Sequence, residues 1–318
     1  MDFWVNLISA AILAGIPLLY GTVGEILNEK AGHLNLGVEG MMAMGACAGF
    51  MAGYYTNNAI AAIVAAFLAG ALGAAIYALL TVTFMADQNV TGLTLTIFGL
   101  GLSNFFGEYM LTSSGSSSLK LPSEITAELN SVSIPVLSDI PIVGKILFSQ
   151  SPFVYLGIVI AVATFVYLKH TKTGLNLRTV GENPAAADAL GINVTRMKYI
   201  NVIVGGGICG IGGAYCSMIY CGGVWMANSV NGLGWIAVAL VIFASWSPLR
   251  AIGGSLVFGA FSVLKYYVPK DVISIPNAIF DMLPFLITAL VLVISSIKQS
   301  KENSQPASCG SNYFREER

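Results

Sequence analysis

The sequence predicts an all-α polytopic membrane protein with about nine transmembrane helices, in a range of eight to ten. Composition gives the first reason: 56% of the 318 residues are hydrophobic and 10% are charged, whereas soluble domains carry about 25% charged residues. The second is a mean hydropathy of +0.77. The third is length, because the apolar runs reach roughly 20 residues, enough to cross a bilayer at about 1.5 Å per residue.

The spans are expected near 3–27, 38–56, 59–84, 90–112, 152–168, 199–222, 234–247, 249–268 and 278–297. The first, "MDFWVNLISAAILAGIPLLYG", has no basic leader and no cleavage site, so it reads as a retained helix. The second opens on a carboxylate, and the seventh is short. Placing the 169–198 loop in the cytoplasm puts 11 Lys and Arg residues inside and 4 outside. That excess predicts an N-terminus outside and a C-terminus inside.

The expected organisation is one transmembrane domain over 1–297, followed by a disordered cytoplasmic tail over 298–318. Residues 113–151 are too polar to span and form an external loop, either folded over the outer mouth or solvated. The net charge of −1 says nothing about nucleic acid, and no basic tract is long enough to bind it, so no nucleic-acid partner is expected. The five cysteines form no CxxC pair, and four lie in or beside apolar segments, so they read as small core residues rather than metal ligands or disulfides.

Small residues recur at helical spacing in "GGGICGIGGAY" (Gly206 and Gly210) and in "AAFLAGALGAA" (Ala69 and Gly73). They allow close helix approach within one subunit or between subunits. The glycine run does not follow a strand, so it is not a dinucleotide fingerprint.

The most informative segment is "KTGLNLRTVGENPAAADALGINVTRMKY", a polar interruption between apolar runs. Asn183 is a favoured N-cap, Pro184 suits the first helical position and Gly191 is a natural stop. A helix of about two turns follows, too short to be stable alone in water. Ala185, Ala186, Ala189 and Leu190 form a modestly apolar face. It packs either on its own subunit or in a groove of a partner.

Ionisable and polar groups at membrane depth are functional candidates. Glu39 enters an apolar run between Gly37 and Gly40, as in a broken or re-entrant helix start near the cytoplasmic side. It accepts hydrogen bonds from a substrate, or it serves as a structural acceptor favoured by a helix N-terminus. Asn89, Thr91, Thr94 and Asn104 give the fourth span a polar stripe, with Thr94 and Asn104 on roughly one side. This stripe either lines a pathway or joins helices. Trp225 and Trp235 flank an outer loop and read as interface-belt residues. His33 and His170 are isolated cytoplasmic loop residues, and no catalytic constellation stands out.

"GLNLRTVGENPAAADALGINV" resembles the cytoplasmic loop of bacterial ABC importer permeases of the nucleoside, simple-sugar and branched-chain amino acid branch. "EKAGHLNLGVEGMMAMGA", "DQNVTGLTLTIFGLGLS", "NGLGWIAVALVIFASWSPL" and "MLPFLITALVL" resemble other segments of that branch in order, over most of 20–295. The likeness is greatest to its nucleoside permeases.

The resemblance implies an ABC permease fold in the bacterial cytoplasmic membrane. It makes Asn183, Pro184, Ala185, Ala186, Ala189, Leu190 and Gly191 a coupling helix that docks in an ATPase subunit. It also implies a second permease subunit, with a heterodimer expected, and an extracellular substrate-binding lipoprotein. The chain has no phosphate-binding GxxxxGK[ST] loop. ATP and Mg²⁺ are therefore expected on the partner ATPase, with no cofactor on this chain. Nucleosides are the expected substrate, with a monosaccharide such as ribose as the alternative. A secondary, ion-coupled transporter is the contrasting class.

Overall fold

The computed structural model describes residues 2–130, 132–133, 144, 146, 148–267, 276–298 and 304–314. Among these the architecture is helical, with a single two-residue ladder, β1 (Val132–Ser133) against β2 (Ser149–Gln150). In chain order the helices begin with α1 (Asp2–Lys30), α2 (Val38–Thr56), α3 (Ala59–Ala78), α4 (Gln88–Ser114) and α5 (Ser123–Leu129). They continue with α6 (Pro152–His170), α7 (Lys172–Glu182), α8 (Pro184–Ala189) and α9 (Val194–Tyr215). The last are α10 (Leu233–Phe243), α11 (Pro248–Tyr267) and α12 (Asn277–Lys298).

Among the described residues, five helices are long and apolar enough to cross a membrane: α1, α3, α4, α6 and α9, with α3 and α9 each extended by a π turn, at 79–83 and 216–220. Helix α9 is the centre, packed by α1, α2 and α3. The stripe Gly206 and Gly210 faces α3: a Cβ on Gly210 would lie 2.2 Å from the Ala66 carbonyl oxygen. These glycines therefore serve packing within the subunit. On the far side of α3, Ile60, Val64, Leu68 and Leu72 are exposed at four-residue spacing, an apolar face fit for hydrocarbon.

Of the nine expected spans, 38–56, 249–268 and 278–297 are helical, as α2, α11 and α12, but are not among these five, and 234–247 is the 11-residue helix α10. At 1.5 Å per residue it covers about 16 Å, half of a bilayer core. The segment 31–37 is not a simple loop but turns back into the bundle. Asn35 N donates to Glu25 at 2.9 Å and Leu34 N to Gln88 at 2.8 Å. The Leu34 and Leu36 carbonyls accept from Tyr77 and Thr96. Irregular backbone at membrane depth needs such partners.

Depth can be measured along α4. Gly40, two residues into α2, packs on Gly99, where a Cβ would lie 2.4 Å from the Gly40 carbonyl oxygen. Gly99 stands about 16 Å along the roughly 40 Å of α4. Gly37, just before α2, packs on Gly92, only about 6 Å along α4. Helix α2 thus begins inside the bundle, and Glu39 lies between these two levels, in the half of the bundle nearer α8. The broken or re-entrant start expected from Gly37 and Gly40 is present, with the turn over 31–37 held by partners on α1, α3 and α4.

At the end opposite α8, part of the 113–151 region folds over the bundle. Leu119, Leu121, Ile125 and Leu129 are buried, and Leu121 N and Trp225 N bond across to Gly223 and Leu119. Much of 131–147 lies outside the described residues, as do 268–275, 299–303 and 315–318. Trp225 is 6% exposed, with its ring 5.4 Å from that of Phe50. It is a core residue and not an interface-belt residue, because the folded loop covers it.

The tail also differs from the expected disorder. Ser308 N bonds Gly181 O at 3.0 Å, Asn312 Nδ2 bonds Met85 O at 2.6 Å, and Tyr313 donates its hydroxyl to Asp188 at 2.9 Å. Residues 304–314 therefore strap α7 and α8 to the start of α4. Composition suggested disorder because the segment has few apolar residues. Its Ser, Asn and Tyr groups instead find polar partners on the protein. Burial pushes the Cys309 thiol above its ordinary range.

Candidate coupling and pathway sites

The candidate coupling helix has the local geometry that the sequence predicts. Asn183 caps α8, accepting from Ala186 N at 2.9 Å through its side chain, and Pro184 is the first helical residue. Gly191 takes φ +80°, a left-handed stop that a Cβ would strain. Ala187 is buried and anchors the helix beside Val180 and Val194. Ala185, Ala186 and Ala189 are exposed, and Leu190 is 76% exposed. An alternation of one buried anchor with an exposed apolar face leaves that face free to meet another molecule. Tyr313 and Asp188 hold the helix from the side.

The second site lies inside the bundle. Segment 221–232 descends from the end opposite α8. Trp225 meets Gly107 of α4, then Asn228 Oδ1 accepts from Asn104 Nδ2 at 3.2 Å, and then Gly232 reaches Glu39 beside Gly99. The chain thus follows α4 inwards by about two turns. There α10 begins. Both Glu39 oxygens are used: Gly232 N donates at 2.7 Å and Gly234 N at 2.7 Å. A carboxylate at a helix N-terminus satisfies orphan donors and complements the dipole. Asn228 and Asn231 take φ +56° and +47° on the way down, a conformation that Asn tolerates better than most residues.

The five candidate pathway residues do not converge. Glu39 and Asn104 meet the 228–234 segment from α2 and α4. Thr91 and Thr94 instead border a shallow cavity between α3 and α4 with Tyr77 and Phe98. Thr94 spends its hydroxyl on Val90 O, and Thr91 spends its own on Asp87 O. Asn89 is exposed in the first turn of α4. The expected single stripe fails on angle, since ten steps of about 100° leave Thr94 and Asn104 about 80° apart.

One polar cluster escaped the sequence reading. Glu25 accepts from Asn28 Nδ2 at 2.7 Å and from Asn35 N, and Glu29 accepts from Trp246 Nε1. These links join the end of α1 to the re-entrant turn and to the turn after α10. The available signal was two carboxylates four apart in an apolar helix, which share one face. His33 lies in the non-helical segment between α1 and α2, as expected, but is buried there, at 1% exposure, against Tyr77. Among the described residues, no group of three or more His, Cys, Asp or Glu is placed to hold a metal.

Comparison with known proteins agrees with this architecture. A guanosine ABC transporter permease protein of Bacillus subtilis (strain 168), NupQ, is 33% identical over 94% of this chain and 95% of its own. A nucleoside ABC transporter permease protein of Lactococcus lactis subsp. cremoris (strain MG1363), NupC, is 31% identical over 91% of each chain. A putative glucose ABC transporter permease protein of Haloferax volcanii, TsgC13, is 34% identical over 83% of this chain and 78% of its own. No solved structure matches the chain. Residues 7–292 match the family described as the permease component of the branched-chain amino acid transport system, and the chain belongs to that family of membrane permeases.

Proposed function

We propose that this chain is the permease subunit of an ATP-driven importer that carries nucleosides across the cytoplasmic membrane. The observation that carries this reading is α8: a capped, anchored helix that presents Ala185, Ala186, Ala189 and Leu190 outwards at one end of an apolar bundle. Such a face suits a groove on a separate ATPase subunit, which binds ATP and Mg²⁺. The α8 end is then cytoplasmic, with the N-terminus outside and the C-terminus inside. A substrate-binding lipoprotein delivers ligand to the opposite end, and a second, unlike permease completes the membrane unit.

Within this reading Glu39 and Asn104 act on the pathway through the 228–234 segment, which they hold inside the bundle. Nucleosides are favoured because the relatives named for guanosine and nucleosides align over more than nine-tenths of both chains. The identity to a putative glucose permease supports a monosaccharide as the second reading. An ion-coupled transporter leaves the exposed face of α8 without a task.

The test is uptake of labelled uridine, adenosine, guanosine, ribose and glucose by cells expressing this chain with its genomic neighbours. Nucleoside uptake that ends on ATP depletion and resists an uncoupler is expected. Uptake of a sugar alone overturns the substrate. Sensitivity to the uncoupler but not to ATP depletion overturns the energy source.

A further inference from the structure

Between the descending segment, α11 and α12 lies a cavity of about 700 Å³. Small-molecule sites span about 300–1,000 Å³. Tyr220, Trp235 and Phe285 bring aromatic side chains to its wall, and Asn231, Ser262 and Lys265 bring polar ones. Lys265 Nζ lies 5.5 Å from the ring centroid of Tyr266, also in the wall.

The position of the cavity follows from the depth argument. Tyr220 ends the π turn at the end opposite α8. Trp235 sits in the first turn of α10, which Glu39 holds inside the bundle. The cavity therefore runs from that end of the bundle to its middle. Its floor is the clamped start of a half-length helix. A face that only met lipid would have no use for the Asn231 amide along this depth, where polar side chains mark pathways. Left-handed backbone at Asn231 is held by its surroundings, a conformation that collects at functional sites.

Resting on the importer reading above, we propose that this cavity is a receiving vestibule for the heteroaromatic base of the substrate. The base stacks on the Trp235 and Tyr220 rings, since every base offers a π-face. Asn231 and Ser262 hydrogen-bond its edge or the ribose hydroxyls. Passage further in requires the start of α10 to shift, and the Glu39 clamp sets that barrier.

The test uses the whole transporter in cells. Ser229, which borders the cavity, is changed to Cys in a Cys221→Ser background and labelled from outside with a membrane-impermeant maleimide. Labelling is expected, slowed at least fivefold by millimolar uridine or guanosine and unchanged by ribose. In parallel, Trp235→Leu is expected to raise the KM for uridine roughly tenfold, with Vmax within twofold and membrane abundance unchanged. The vestibule is overturned if nucleosides are taken up while Ser229→Cys is unlabelled, or is labelled equally with and without them. Protection by ribose as strong as by uridine overturns base recognition. Failure of the unaltered transporter to take up any nucleoside overturns the substrate reading itself, an outcome distinct from the others.

Discussion

The Glu39 carboxylate stands 2.7 Å from the Gly234 amide nitrogen, 195 positions away in sequence. Its other oxygen takes Gly232 N. One side chain thereby fixes where α10 starts and how far segment 221–232 descends. Truncation by Glu39→Ala leaves buried donors unpaired, at about 1–3 kcal/mol each. Glu39→Gln keeps one acceptor and should fall between wild type and Ala. Thermal unfolding of the detergent-solubilised protein reads this order. Equal stability of all three would remove the clamp from the account.

Close approach of α2 and α9 rests on absent side chains. A Cβ on Gly45 would lie 2.2 Å from the Gly210 carbonyl oxygen. Gly45→Leu should force the two helices apart and abolish monodisperse protein, at a cost beyond the about 1–3 kcal/mol of ordinary overpacking. Gly253→Ala meets nothing within 4 Å and should be neutral. Size-exclusion profiles of the two variants make the comparison.

The strap predicts a local effect. Tyr313→Phe loses the hydrogen bond to Asp188, worth about 1 kcal/mol. Protease cleavage within 304–314 should quicken, and ATP-driven uptake should fall by severalfold while membrane abundance holds. Unchanged proteolysis and uptake would show that the strap does not steady α8.

Legibility in the sequence followed the range of the interactions. Asn183, Pro184 and Gly191 set a local motif, each acting within a few residues, so α8 was readable with its caps and exposed face. The apolar spans were readable because composition and length alone make them. The packing around Glu39 was not, because it depends on Gly40 meeting Gly99 and on a re-entrant turn whose partners are Gln88, Tyr77 and Thr96. The shortness of α10 was hidden too. Its apolar run continues through Ala244 to Trp246, where the chain instead turns on left-handed Ser245 and Trp246. The strap was missed because its polar residues look solvated until their partners on α7, α8 and α4 are known.

The central claim is that α8 transmits work from a separate ATPase. It is tested most directly by purifying this chain, tagged and co-expressed with its genomic neighbours, as wild type and as Ala186→Glu. Ala186 is exposed and Ala187 buried, so the substitution puts a charge on the docking face without disturbing the anchor. The account predicts that wild type brings down an ATPase and supports ATP-driven uptake. It predicts that Ala186→Glu, at equal membrane abundance, loses both. Retention of the ATPase and of normal uptake by Ala186→Glu would contradict it.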